Sequence, residues 1–179
     1  MITYYSHREQ DLKNSLVYIP CEVKRKLNEH EKPILIFTTH DRFGYSSAPK
    51  SIPYVIIVND AIFPNGHTRE DRMYRFFVFT VLHEVAHVYM DITGTPIEDQ
   101  EESQANKLAE DWYNEHANNQ GLDSLSYDSE IKATQIEIEK AMFEVANTIA
   151  ASLKCSMVPC EEEANAQQVS TTASVTEAL

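Results

Sequence analysis

The sequence has little of what secreted, membrane-spanning or nucleic-acid-binding proteins need. Its 179 residues include three cysteines, Cys21, Cys155 and Cys160, and an odd number of cysteines does not make a complete disulfide framework. No apolar run approaches the length that spans a bilayer. Residues 1–8 lack the basic patch and apolar stretch of a signal peptide. We therefore expect a protein of the reducing cytoplasm with no membrane partner.

Basic residues are scarce in the second half of the chain. Residues 91–179 carry 4 basic and 18 acidic side chains, whereas residues 1–90 carry 11 and 10, and the net charge is −13. An acidic surface repels phosphate backbones, so we expect no direct nucleic-acid partner. It can attract a basic protein, although solvated helix faces and an acidic tail explain such charge equally well.

The first part of the chain alternates a helical pattern with two short apolar runs. Apolar residues at spacings of three and four predict a helix over residues 8–29, with a kink or break at Pro20. Residues 33–39 and 54–58 are rich in β-branched residues, which predicts two strands. Glycine, serine and proline between them predict a loop over residues 40–52.

The rest of the chain has three further helical patterns. Thr68 is a suitable N-cap for a helix over about residues 69–90, whose second half is apolar on almost every face and is therefore expected to be buried. Gly94 and Pro96 should end it. Further helices are expected over about residues 99–116 and 129–153. We expect one domain over residues 1–158 and a disordered acidic tail over residues 159–179, where aromatic residues are missing.

One short motif in the apolar helix indicates metal chemistry. His83 and His87 are four residues apart, which places both imidazoles on one helix face, one turn apart, where they can share a zinc ion. Glu84 projects about 100° away around the helix axis. There it can act as general base on a water at the metal, as in the HExxH zinc peptidases. The plain structural alternative is a pair of hydrogen-bonded core histidines.

A catalytic zinc needs a third protein ligand and one open position. Glu102 is the best choice, because the helix that carries it can fold back beside the motif helix. Glu101 and Glu98 are alternatives, since the register is uncertain by a residue; we expect only one of Glu101 and Glu102 to face the motif helix. Asn106, one turn after Glu102, and Asp91, one turn after His87, are candidates for contacts with the ligand side chains.

The same residues resemble the ImmA/IrrE family of metallopeptidases. The matching pieces are Ile56-Ile-Val-Asn59, Phe79-Thr80, His83-Glu84-Val-Ala-His87 and Glu102-Ser-Gln-Ala105-Asn106-Lys-Leu-Ala109, so that the resemblance covers roughly residues 50–115. The family usually has glycine where this chain has Ala86. The resemblance implies an α+β, zincin-like fold, with a small β-sheet packed on the active-site helix and additional helices.

The resemblance also implies cleavage of a specific protein, often a helix-turn-helix repressor of a mobile element or stress regulon. In zincin-like folds an edge strand before the motif helix pairs with extended substrate, which makes Tyr54, Ile56 and Val58 candidates for that strand. An ordinary core strand is the alternative. The residue that stabilises the oxyanion is left open among five side chains: Tyr54, Tyr89, His40, His67 and His116.

Three functions therefore compete. The first is a zinc-dependent endopeptidase with Glu84 as its base. The second is a catalytically silent metal-binding module that regulates a partner protein by binding it. The third is a metal-free helical protein of a mobile element, with both histidines in its core. Glu84 favours the first, because a binding module needs no general base.

Overall fold

A four-stranded sheet forms the β part of the fold. The computed structural model describes residues 2–6, 8–39, 44–46, 53–59, 71–95 and 98–156. The strands are β1 (Ile2–Tyr5), β2 (Ile34–Thr39), β3 (Gly44–Ser46) and β4 (Tyr54–Asn59). They lie in the order β1-β2-β4-β3; β1, β2 and β4 are parallel, and β3 runs antiparallel to β4 at one edge.

Alternation of side chains along the two central strands explains which face is buried. Ile34 and Ile36 of β2 and Ile56 and Val58 of β4 are buried, whereas the residues between them are only partly covered. Ile36 lies opposite Ile56 in the parallel register. Because successive strand residues point to opposite faces, these four side chains share one face of the sheet and form part of the core.

The helices make up most of the described chain, so the fold is mixed α/β with a small, mainly parallel sheet. Their bounds are α1 (Glu9–Leu16), α2 (Cys21–Glu29), α3 (Arg72–Thr93), α4 (Glu101–Gln120) and α5 (Lys132–Ser156), with a 3-10 turn over Glu98–Gln100 and a π-helical turn over Tyr127–Ile131. No helix in the described ranges is both long and apolar enough to cross a bilayer.

Helix α3 is the centre of the first part of the chain. It contacts β3, β4, α1, α2 and α4. Phe77, Val78, Val81 and Leu82 are fully buried, as expected for a helix that is apolar on almost every face. The predicted burial of this helix is therefore confirmed, and so is the break at Pro20, which separates α1 from α2.

Three details of the predicted elements differ from the structure. The stretch predicted as a loop contains β3, and the first residues contain β1, which the sequence did not predict. The N-cap of α3 is Asp71 rather than Thr68, because the Asp71 carboxylate accepts the backbone N–H of Met73 at 2.8 Å. Thr68 itself, Pro96, and residues 40–43 and 47–52 lie outside the described residues.

The chain divides into two units, Met1–Ile138 and Glu139–Leu179. The predicted domain boundary at residue 158 stays a prediction. The second unit contains the remainder of α5, whose side chains from residue 139 to residue 152 are all exposed. Four of them are large and apolar: Met142, Phe143, Val145 and Ile149. The predicted tail over residues 159–179 lies outside the described residues.

Candidate metal centre

Helix α3 positions both histidines of the motif. Asp71 caps its first turn, and Gly94 ends it with φ of 67°, a left-handed conformation that glycine adopts without the clash of a Cβ. Between these ends His83 and His87 lie one turn apart on one face. Their side chains are 15% and 10% exposed, so the rings are held by their surroundings but reachable from one side.

The two imidazoles direct the same nitrogen towards one point. The Nε2 atoms of His83 and His87 lie 3.1 Å apart, and the rings meet edge to face with centroids separated by 4.7 Å. Two imidazole nitrogens at this distance need a proton or a cation between them, because their lone pairs otherwise repel each other.

Helix α4 brings Glu102 to the same point. One carboxylate oxygen, Oε2, lies 3.3 Å from His83 Nε2, and the other, Oε1, lies 3.5 Å from His87 Nε2. The hydrogen bond with His83 is the main cause that lowers the pKa of the Glu102 carboxyl, and the charges of both imidazoles act in the same direction. The side chain is 78% exposed, so this side of the site is open to solvent.

These three side chains fit a zinc ion. Their ligand atoms all lie within 4.8 Å of one another. The closest approaches are 3.1 Å between the two Nε2 atoms, 3.3 Å from His83 Nε2 to Glu102 Oε2 and 3.5 Å from His87 Nε2 to Glu102 Oε1, so each histidine faces a different oxygen of the carboxylate. Tetrahedral zinc with ligands at about 2.0–2.2 Å places its ligand atoms about 3.3 Å apart, and two imidazoles plus one carboxylate are a donor set of catalytic zinc. The predicted set of His83, His87 and Glu102 is thus brought together.

Glu84 is buried, with 7% of its surface exposed. It follows His83 directly on α3, so its side chain projects to a neighbouring face of the helix about 100° away. A buried carboxylate is costly unless it is paired or hydrogen-bonded, and Glu84 does have an interaction partner. Its role as general base stays a prediction.

Glu101 also reaches α3, which corrects the expectation that only one of the two adjacent glutamates faces the motif helix. Its Oε1 lies 3.0 Å from Nδ1 of His87. Glu102 meanwhile contacts Nε2 of both histidines, so the two carboxylates approach His87 from opposite edges of the ring. Glu98 lies in the 3-10 turn that precedes α4, and its side chain is outside the described residues.

Among the described residues, Asn106 does not hydrogen-bond to a histidine, as the sequence had suggested that it would. It is partly buried on α4, and no described hydrogen bond joins it to a histidine. Nδ1 of His83 is buried without a hydrogen-bond partner among the described residues. Nδ1 of His87 is occupied by Glu101. The carboxylate of Glu101 therefore stands where Asn106 was expected.

Asp91 is held away from the metal centre. The hydroxyl of Tyr54 donates a short hydrogen bond to its Oδ2, and Asp91 is not among the side chains that converge with the two histidines. The structure thus gives Asp91 a partner on β4, although it lies only one helical turn after His87.

The candidates for a substrate-pairing strand need correction. Tyr54, Ile56 and Val58 are buried in the core. Strand β4 pairs with β2 along its whole length and with β3 over Ile56–Val58. Because both sides of β4 are hydrogen-bonded over Ile56–Val58, an extended peptide cannot pair there, and the edges of the described sheet are β1 and β3.

Tyr89 and His116, two of the five candidates for stabilising the oxyanion, contact other side chains. Tyr89 packs edge to face on Trp112, with centroids 5.8 Å apart, and its hydroxyl accepts a 3.5 Å hydrogen bond from Lys26. His116 lies against the ring of Tyr18 at 4.4 Å. His40 and His67 lie outside the described residues.

Two aromatic side chains next to His83, Phe79 and Tyr127, form a stack that was not predicted. Phe79, one turn earlier on α3, stacks on the His83 ring with centroids 6.2 Å apart, and Tyr127 stacks on Phe79 at 5.6 Å. The spacing of Phe79 and His83 would have indicated the first contact. Tyr127 comes from a distant turn, so its position follows from the tertiary fold alone.

Comparisons with family models, with curated proteins and with solved structures give no match to this chain.

Proposed function

We propose that this chain is a zinc-dependent endopeptidase of the ImmA/IrrE kind, with a zincin-like fold. The observation that carries the proposal is the convergence of His83, His87 and Glu102 on one point, with Glu84 buried beside them. A small sheet that contacts the helix carrying the site supports the proposed fold.

Each residue has a separate task in this proposal. His83, His87 and Glu102 hold the zinc ion, which when bound lowers the pKa of water and polarises a carbonyl. Glu84 accepts a proton from the water that attacks the scissile carbonyl and passes it to the leaving amine as the C–N bond breaks. The exposed Glu102 side leaves room for a peptide and a water to enter.

The proposed substrate is a protein with a basic surface, such as a helix-turn-helix repressor of a mobile element or stress regulon. The excess of acidic over basic residues in 91–179, which include α4, supports this choice. Opposite charge raises the rate at which two proteins meet and suppresses like-charged partners.

The test is to load the protein with zinc and incubate it with proteins encoded beside its gene, with and without a chelator. The proposal predicts one zinc per chain and cleavage that stops with chelator and returns with added zinc. Glu84→Gln should keep its zinc and lose cleavage, whereas Glu115→Gln, an exposed glutamate on α4, should behave as wild type.

Other results would favour the competing functions. Zinc binding with unchanged biological effect in Glu84→Gln would support a silent binding module. A folded wild-type chain that takes up no metal would leave only the metal-free helical protein.

A further inference from the structure

Glu101 is the first residue of α4, and its carboxylate accepts the Nδ1 hydrogen bond of His87 at 3.0 Å. We propose that Glu101 is a positioning residue, which fixes the orientation and the tautomer of His87 so that its Nε2 lone pair faces the metal point. The inference rests on the proposed metal centre but does not depend on the reaction that the centre performs.

The physical reason lies in the two nitrogens of imidazole. A neutral ring carries one N–H, and a carboxylate acceptor at Nδ1 holds the proton on that nitrogen. The other nitrogen, Nε2, is then an acceptor with a free lone pair. In His87 this Nε2 lies 3.1 Å from His83 Nε2 and 3.5 Å from Glu102 Oε1, so the lone pair is directed towards the other two proposed ligand side chains.

The two adjacent glutamates therefore have different tasks. Consecutive residues of a helix project about 100° apart, and here the imidazole of His87 lies in the angle between them. Glu102 contacts the Nε2 edge that faces the metal point, whereas Glu101 contacts the Nδ1 edge that faces away from it.

The second histidine lacks such a partner. Nδ1 of His83 is buried and has no hydrogen-bond partner among the described residues, and the ring instead stacks on Phe79. Of the two histidines, only His87 thus has a described hydrogen bond at Nδ1, the nitrogen that faces away from the metal point. Loss of Glu101 should therefore lower the metal affinity, because no other described hydrogen bond holds Nδ1 of His87.

The experiment compares zinc affinity in wild type, Glu101→Ala, Glu101→Gln and the control Glu110→Ala, by competition with a chromophoric chelator. Glu110 is a matched control, because it is a partly buried glutamate of the same helix. Removing such an outer partner typically weakens metal binding about 10–100-fold, which we expect for Glu101→Ala. Glu101→Gln keeps a carbonyl acceptor for Nδ1–H and should restore most of the affinity.

Two further readouts separate positioning from a general loss of structure. The visible absorption spectrum of the cobalt-substituted protein should change in Glu101→Ala and return towards wild type in Glu101→Gln. The metal-free Glu101→Ala protein should still be folded and unfold cooperatively on heating, because Glu101 is partly exposed and its loss removes one hydrogen bond.

Three outcomes would overturn the inference. The first is wild-type zinc affinity in Glu101→Ala. The second is loss of zinc in Glu101→Ala together with full zinc in Glu102→Ala, which would make Glu101 the ligand. The third is a wild-type chain that binds no zinc, which also removes the metal centre. If the zinc affinities are as predicted but no protein is cleaved, the positioning role of Glu101 is supported. Only the proposal of an endopeptidase is then contradicted.

Discussion

The hydroxyl of Tyr54 donates a hydrogen bond to Asp91 and so joins the first residue of β4 to the turn of α3 that follows His87. Tyr54 is buried, and the burial together with this hydrogen bond raises its pKa to about 12. The contact fixes the position of the motif helix along the sheet.

Tyr54→Phe should therefore destabilise the fold without emptying the metal centre. A hydrogen bond to a charged group typically contributes about 1.5–3 kcal/mol, and this loss is what we expect in the free energy of unfolding measured with urea. Tyr89→Phe, whose hydroxyl has only a 3.5 Å contact with Lys26, is the control and should cost less. A tenfold loss of zinc affinity in Tyr54→Phe would instead make Asp91 part of the metal centre.

Stability should fall in strongly alkaline solution. Burial is the main cause that raises the pKa of Tyr54 and of Tyr113 to about 12 each, from an ordinary value of 10.0. Because the folded pKa lies above the unfolded one, the contribution of each is fully present below about pH 10 and is lost as pH rises towards about 12.

Phenolate absorbance during an alkaline titration, combined with urea unfolding at the same pH values, checks this expectation. Tyr54 and Tyr113 should ionise at higher pH than an ordinary tyrosine, either as the protein unfolds or near pH 12. If all nine tyrosines ionised in one step near pH 10 while the fold persisted, the burial of these two rings would be contradicted.

The metal centre should depend on its three ligands to different degrees. His83→Ala should lose zinc, because the mostly buried imidazole has no substitute, and Glu102→Ala should weaken zinc binding by an order of magnitude or more. Zinc content after gel filtration and chelator competition measure both effects. Retention of full affinity in Glu102→Ala would show that the third ligand lies elsewhere.

Glu84 should matter for turnover and not for metal. Glutamine is close to glutamate in size but cannot accept a proton at neutral pH, so Glu84→Gln should lower the cleavage rate by about 10²–10⁴. Zinc content should stay near that of wild type. A Glu84→Gln protein that cleaves substrate at the wild-type rate would remove Glu84 from the mechanism.

The motif helix and the placement of its two histidines on one face could be predicted because their signals are local. Four-residue spacing places His83 and His87 on one face whatever surrounds them, and Gly94 ends the helix by its own backbone preference. The start of the same helix could not be fixed. Thr68 and Asp71 are both good caps three residues apart, and only the hydrogen bond to Met73 identifies the one in use.

The contact between Glu101 and His87 could not be predicted. It depends on which residues of α4 face α3, and the 3-10 turn over Glu98–Gln100 comes directly before that helix. Strand β3 was not predicted for a different reason. Of its three residues, Gly44–Ser46, only Tyr45 favours a strand, and the segment becomes a strand through pairing with β4. The same pairing turned β4 from an expected edge into an internal strand.

All three proposed ligands belong to two consecutive helices, and the sheet contributes none. Bringing His83, His87 and Glu102 together closes only the short stretch of chain between α3 and α4, and the entropy lost on closing a loop grows with its length. An ion held by these three side chains would therefore act as a cross-link between α3 and α4.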